Sequence, residues 1–374
     1  MATLLRPTFL RPALNLKTLR KPTPPPLPSL FSHTRRTYAL QTPGAPTLQV
    51  FNQHTKYLQK ERAAANVEES RKVDYVRDEV AKQLCDRLLF INRHFPHVLD
   101  LGANACNIAR ALTAPNPDPL TPTSAPLSTR ISQLTATDVS PALLHRDASA
   151  PFNDAINITR DPVPLSETSP LPYAPNTFDA VLSSCSLHWI NDLPGLLGQV
   201  NHILKPDAPF LAAMLGGDSL YELRTSLQLA ELERRGGVSP HVSPLADVRD
   251  IGSLLNRAGF KLLTVDVDDV VVDYPSVFAL MTDLQAMGES NAVMGREMGG
   301  LQRDVMMAAE GIYRVLHGNE DGTLPATFRI IYMIGWKAGG SQPQPLERGS
   351  GEVGLKDILE GGGGEAGGDG NGKA

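Results

Sequence analysis

Residues 97–112, HVLDLGANACNIARAL, constrain the fold more than any other stretch of the chain. The apolar run Val98 to Leu101 meets Gly102 and then a helical pattern, the strand–turn–helix opening of a nucleotide-binding α/β half. Such a turn is expected to lie over a ligand. In a full GxGxG turn the second and third glycines would fall at 104 and 106, where this chain has Asn104 and Cys106. Asn is the non-glycine residue that best tolerates positive φ, so Asn104 can keep the turn shape while adding a side chain where a ligand would approach. Cys106 is small enough for close helix–strand packing but lacks a glycine's dihedral freedom. The motif alone reads either as a cofactor cradle or as a plain structural connection.

The flanking segments extend the α/β pattern. Residues 50–92 read as helical, with Val76, Val80, Leu84 and Leu88 marking one apolar face. A strand over Ile131 to Thr137 ends in Asp138, and Ser140-Pro141 opens a helix. A carboxylate at the end of the second strand can accept both hydroxyls of a ribose, or it can simply cap the helix. A short strand near Ile156 to Thr159 precedes LPYAPNTFDAVLSSCSLHWIND, in which Ala180 to Cys185 form a fourth strand. Ser186 to Trp189 then lie just past its carboxyl end, where open α/β sheets hold ligands. His188 and Trp189 are therefore candidate substrate contacts, His188 as proton shuttle or hydrogen-bonding group, or else as a half-buried histidine satisfied by backbone. Glu167 or Asp161 could accept a hydrogen bond from an adenine amino group. After a helix over 192–204 the fifth strand is Phe210 to Leu215.

Composition narrows location and partners. The first fifty residues contain no Asp or Glu but carry Arg6, Arg11, Lys17, Arg20, Lys21, Arg35 and Arg36 among Ser, Thr and Pro, the make-up of a mitochondrial presequence. Arg36-Thr37-Tyr38-Ala39 resembles a matrix-peptidase site, so residues 1–38 are expected to be removed. Removing those seven cations takes the net charge from -5 to -12, which gives no long-range attraction to phosphate backbones and argues against nucleic acid as the main partner. Cys85, Cys106 and Cys185 have no CxxC spacing, so neither a disulfide framework nor a zinc site is suggested. No run of eighteen apolar residues is present, so membrane contact is expected to be peripheral. The Pro-rich stretch after residue 112 reads as a surface insertion. The tail from Ala338, ending GGGGEAGGDGNGKA, cannot bury enough apolar surface to order itself.

The series DLG, Asp138, LPYxxxTFD, SLHW and LKPDxxF resembles the class I S-adenosylmethionine-dependent methyltransferases of the type that includes the biotin-pathway carrier-protein methyltransferases. The strings GGDSLYELRTSLQLAELERRGGVSPHVSP, LLNRAGF, DLQAMGESN and LPATFRIIYMIGWK are more specific. They resemble the mitochondrial complex I assembly factor 5 family, the arginine-hydroxylase assembly factors, over about residues 50–337. The resemblance implies a matrix protein, peripheral to the inner membrane, that hydroxylates one arginine of an iron–sulfur subunit while complex I is assembled. It also implies an α/β, class I methyltransferase-like Rossmann fold over 97–337, preceded by a helical segment over 50–96. Its mostly parallel seven-stranded sheet would include Leu262 to Tyr274 and Thr327 to Trp336, one of these two antiparallel, with a helical cap over about 217–317. S-adenosylmethionine is the implied cofactor, contacted by Asp100, Gly102, Asn104, Asp138 and Glu167, with Asn104 and Cys106 marking where the turn departs from the family's glycines.

The cap is the expected place for the protein substrate. Asp218, Tyr221 and Glu222 fall at three- and four-residue spacing, and carboxylates beside a phenol could hold a guanidinium through charge-assisted hydrogen bonds. The alternative is that Asp218 caps the helix and Glu222 forms a surface pair. Glu289, in Gly288-Glu289-Ser290-Asn291, is a second acceptor for a cationic substrate. Methyl transfer needs mainly alignment of nucleophile and methyl group. Hydroxylation also needs an oxygen-activating centre, and no convincing 2-His-1-carboxylate set is present; His145 and Asp147 only match its HxD spacing. Arginine hydroxylation, conventional methyl transfer and a non-enzymatic assembly role remain the three readings of the residues.

Overall fold

A computed structural model describes residues 49–115, 125–164, 170–295 and 300–342. The presequence expected over 1–38, most of the insertion after residue 112, Glu167 and the tail beyond 342 lie outside the described residues. Seven strands form one sheet: β1 (Phe95–Leu101), β2 (Ile131–Asp138), β3 (Ile158–Pro162), β4 (Ala180–Ser184), β5 (Pro209–Leu215), β6 (Phe260–Tyr274) and β7 (Leu324–Lys337). Their order is β3-β2-β1-β4-β5-β7-β6. The strands from β3 to β5 pair in parallel, and β7 runs antiparallel to both β5 and β6. The order reverses between β1 and β4, so the Gly102 turn and Ser186 to Trp189 open side by side at the switch point, where such sheets bind ligands.

Alternation along the central strands creates two cores. Val98 and Leu182 face one side, together with α3 (Tyr75–Leu89), α4 (Asn107–Thr113), α7 (Tyr221–Arg235), α9 (Val277–Ala286) and α10 (Arg303–His317). The predicted stripe of Val76, Val80, Leu84 and Leu88 is the buried face of α3. Leu99, Leu101 and Val181 face the other side, against α6 (Leu193–Ile203) and α8 (Val248–Arg257). Although α8 falls inside the stretch 217–317, its Ile251 and Leu255 pack with α6 and the sheet, so it flanks the sheet and caps nothing. At the far edge, β6 leaves Asp266, Asp268, Asp269 and Asp273 exposed, charges that discourage further strand pairing.

The amino-terminal segment crosses the carboxyl edge of the sheet. Phe51 bridges Val293 in antiparallel fashion, and Phe51, Trp189 and Ala292 form a small apolar cluster. Asn191 Oδ1 accepts hydrogen bonds from the N–H groups of both Val50 and Phe51, at 2.9 and 2.7 Å. This clasp sets the start of α1 (Gln53–Ala65), which Asn52 caps by accepting from the Thr55 N–H. Next come α2 (Val67–Lys72) and α3, joined to α5 (Pro141–His145) by a buried arginine. Arg146 donates to Ser70 Oγ at 2.7 Å, to both oxygens of Asp74 and to Asp147 Oδ2. Asp147 also receives Arg71 and Arg110. Burial by itself would raise the Asp147 carboxyl, but hydrogen bonds from Arg146 and Arg71 outweigh it and hold it below the usual carboxylate range. Asp147 is thus committed to arginines, not to a metal pair with His145.

Arg146→Met leaves Asp74 and Asp147 buried with one fewer counter-ion and is expected to cost about 3–5 kcal/mol. Urea unfolding of the variant beside the parent chain checks this.

Candidate active site

Three residues of the β1–α4 turn adopt left-handed backbone: Gly102 at φ 76°, Asn104 at φ 51° and Cys106 at φ 60°. The glycine-type turn is therefore kept without two of its glycines. Asn104 does so at low cost, as expected of its residue type. Cys106 does so despite its Cβ, at a cost of about 1–2 kcal/mol. Its side chain is fully buried and its N–H is satisfied by the Ala103 carbonyl at 2.8 Å, so local packing over-determines the conformation. The N–H groups of Gly102 and Ala103 both donate to the Thr137 carbonyl, which fixes the turn to the end of β2. Asn104 Nδ2 donates to the Gly102 carbonyl, the Ser184 carbonyl and Ser186 Oγ at 3.1–3.2 Å, tying the turn to β4. The asparagine thus acts as a cross-link between the two strands at the switch point.

Asp138 stands at the carboxyl end of β2 with no solvent exposure. Its carboxylate receives the Asn104 N–H at 3.0 Å, the Ser140 N–H at 2.9 Å and Lys60 Nζ at 2.8 and 3.2 Å. All its favourable acceptor directions are used, and the ammonium comes from α1, a helix that hydrophobic periodicity alone does not connect to the site. Asp100 contrasts with it: neither carboxylate oxygen has a donor among the described residues. Burial, reinforced by the charge of Asp138, pushes the Asp100 carboxyl well above its ordinary range. Asn104 Oδ1 and Ser184 Oγ also have no partner among the described residues. These unsatisfied polar atoms at the ends of β1 and β4 suit a donor-rich ligand group such as an ammonium.

Beyond β4, His188 and Trp189 converge on Glu289. Trp189 Nε1 donates to Glu289 Oε2 at 2.6 Å, His188 Nε2 lies 3.4 Å from the same oxygen, and Arg77 Nη2 donates to Oε1 at 2.9 Å. Lys56 Nζ is 3.4 Å from Oε2, donates to the Gly288 carbonyl at 2.8 Å and lies 3.3 Å from the centre of the Trp189 ring. Burial opposes ionisation of Glu289, but Lys56, His188 and Arg77 outweigh it and hold the carboxyl well below its ordinary range. Burial moves His188 the other way, downward, favouring the neutral imidazole. His188, Trp189 and Glu289 line a cavity of about 660 Å³ whose other walls include Gln59 of α1 and Leu223 and Leu227 of α7.

The remaining expected substrate residues do not gather in this cavity. Asp218 precedes α7 instead of sharing its face, and its exposed carboxylate pairs with Arg329. Tyr221 meets the His317 ring edge-on with centroids 5.7 Å apart. Glu222 is buried and accepts from Thr327 Oγ1 at 2.5 Å. The amphipathic α7 turns Leu223 and Leu227 to the cavity and its acids elsewhere, since an apolar helix face buries at lower cost than unpaired carboxylates. The lysines missed in the sequence, Lys56 and Lys60, sit one helical turn apart on the buried face of α1. The signal was their i, i+4 spacing beside Ala63 and Ala64, which is equally the pattern of a solvated helix face.

Two outcomes test this geometry. Asn104→Ala loses the cross-link and raises the backbone cost, a predicted loss of about 2–3 kcal/mol, whereas Asn104→Gly keeps the backbone relaxed and loses about 1 kcal/mol less; denaturant midpoints separate them. Asp100 binds its proton more tightly folded than unfolded, so stability falls as pH rises above about 4, the unfolded value. Asp100→Asn removes that loss, and its stability advantage in urea should widen from acid to neutral pH.

A family model described as a methyltransferase domain matches residues 99–210, which run from β1 into β5. The chain is 45% identical over 311 residues to the arginine-hydroxylase NDUFAF5, mitochondrial, of Danio rerio, covering 83% of this chain and 90% of that one. The Homo sapiens protein of the same name is 45% identical, with 83% and 84% covered. A malonyl-[acyl-carrier protein] O-methyltransferase of Laribacter hongkongensis is 31% identical, with 75% and 88% covered. On this likeness, which extends well outside the methyltransferase domain, the chain belongs to the mitochondrial arginine-hydroxylase NDUFAF5 family.

Proposed function

We propose that the chain is a mitochondrial arginine hydroxylase that acts on an iron–sulfur subunit during assembly of complex I. The observation that carries this reading is the 45% identity over 311 residues, because it extends far beyond the methyltransferase domain at 99–210. In this reading residues 1–38 direct import to the matrix, and the folded chain works at the inner-membrane face on assembly intermediates.

The cofactor proposed is S-adenosylmethionine, which when bound supplies an electrophilic methyl group for the methyl-transfer reading; hydroxylation takes its oxygen instead from an oxidant such as dioxygen, whose second oxygen a two-electron donor reduces to water. The residues fit it. The unsatisfied oxygens of Asp100, Asn104 and Ser184 suit its ammonium end, the left-handed turn at Gly102 lets backbone approach, and Asp138 suits its ribose once Lys60 yields its contacts. Glu167 is assigned to the adenine end. His188 and Trp189 orient the substrate at the cavity floor, while Asp218, Tyr221 and Glu222 shape the wall by holding α7 to β7 and α10. A second reading, methyl transfer, draws on the likeness to the malonyl-[acyl-carrier protein] O-methyltransferase.

Peptide mass spectrometry of the complex I iron–sulfur subunits from a strain lacking the chain decides between them. The hydroxylase reading expects one arginine to lose a single oxygen in the deletion strain and regain it on complementation. An unchanged arginine overturns it, and a lost methyl group on any subunit favours the second reading.

A further inference from the structure

Among the described residues, Glu289 is the one carboxylate that lines the 660 Å³ cavity, whose walls also carry Arg62 and Arg235. A guanidinium entering a largely apolar cavity gives up hydration, and only a fixed carboxylate compensates it well. Yet Glu289 already faces two resident cations, Lys56 and Arg77, so a third would leave two surplus positive charges around one carboxylate. Arg77 cannot leave or neutralise itself: guanidinium does not titrate in proteins, and its Nη2 is anchored to the Met287 carbonyl at 2.6 Å. Lys56 can lose its proton.

We infer that Glu289 is the receptor for the substrate guanidinium, and that Lys56 is its exchangeable resident cation, discharging a proton to solvent as the guanidinium takes its place on Oε2. This deepens the hydroxylase reading and rests on it. The geometry supports the exchange: Lys56 holds Glu289 at 3.4 Å, looser than the 2.9 Å of Arg77 and the 2.6 Å of Trp189 Nε1. Its environment supports it too. The groups facing Lys56 are Glu289 and His188 across the floor, Arg77 from α3 and Lys60 one turn along α1. Burial, with the like charges of Lys60 and Arg77 opposing the attraction of Glu289, brings its ammonium down to about 7. Neutral Lys56 keeps its place beside the Trp189 ring and costs little to bury, so the floor need not rebuild.

The sign follows. The receptive form has Lys56 deprotonated, so affinity for a guanidinium rises with pH up to about 7 and levels off above it; at pH 6 only about one molecule in ten is receptive, which weakens binding about tenfold relative to pH 8. The test is calorimetry on the full chain with Nα-acetyl-arginine amide, in buffers of differing ionisation heat, with the uncharged citrulline analogue as control. Arginine over citrulline preference, the tenfold pH effect and near-stoichiometric proton release at pH 6 support the inference. Lys56→Met should bind the arginine probe equally at both pH values with no proton release, and Glu289→Gln should lose the preference. A Lys56→Met variant that retains the pH profile overturns it, since the slope would then belong to His188. A wild-type chain indifferent to arginine and citrulline overturns it as well. If either occurs while the chain still restores the oxygen on the subunit arginine, the receptor assignment falls and the hydroxylase reading stands. If the coupling is found but no oxygen is added, the reverse holds.

Discussion

The carboxylate of Asp138 is the point at which the parts of this molecule meet. It receives a backbone N–H from the β1–α4 turn, another from the start of α5 and an ammonium from α1, all without solvent. Each of these donors would be costly to bury unmet, and each belongs to a different segment. The contact therefore does more than close a gap: it fixes where the amino-terminal helices sit relative to the sheet. A residue whose position in the fold suits it to a ribose also serves as the seat of a structural ion pair.

The cations of α1 are divided between two acids. Lys60 neutralises Asp138 and Lys56 shares Glu289 with Arg77, so one helix face supplies cations to two otherwise separate acids. Asp100, at the end of the neighbouring β1, has no such partner among the described residues and is held toward its neutral form. Charged and uncharged carboxyls are thus distributed across the carboxyl edge by what reaches them, and residue type alone does not decide it.

Much of this architecture is legible in the amino-acid sequence, because strand periodicity and helix-start signals are local. The expected strands at 98–101, 131–137, 180–185, 210–215 and 262–274 overlap β1, β2, β4, β5 and β6, and Ser140-Pro141 opens α5. The Gly102 turn was legible for the same reason, although the left-handed state of Cys106 was not: that depends on packing around a buried thiol. The substrate side was less legible. Asp218, Tyr221 and Glu222 look contiguous in sequence, but the start of α7 at Tyr221 separates the first from the others and tertiary partners claim all three. Lys56 and Lys60 were silent because their partners, Glu289 and Asp138, are 233 and 78 residues away.

The clasp between Val50-Phe51 and Ala292-Val293 also sets a limit on how far the chain can be shortened from its amino terminus. A peptidase cutting near residue 39 leaves the clasp and the helix it positions untouched. Trimming only a dozen residues further would remove Phe51, with its bridge to Val293 and its ring contact with Trp189, and free the helix that neutralises both buried acids. Phe51 thus marks the point from which the chain is indispensable to the cleft, because α1 behind it carries the cations of Asp138 and Glu289.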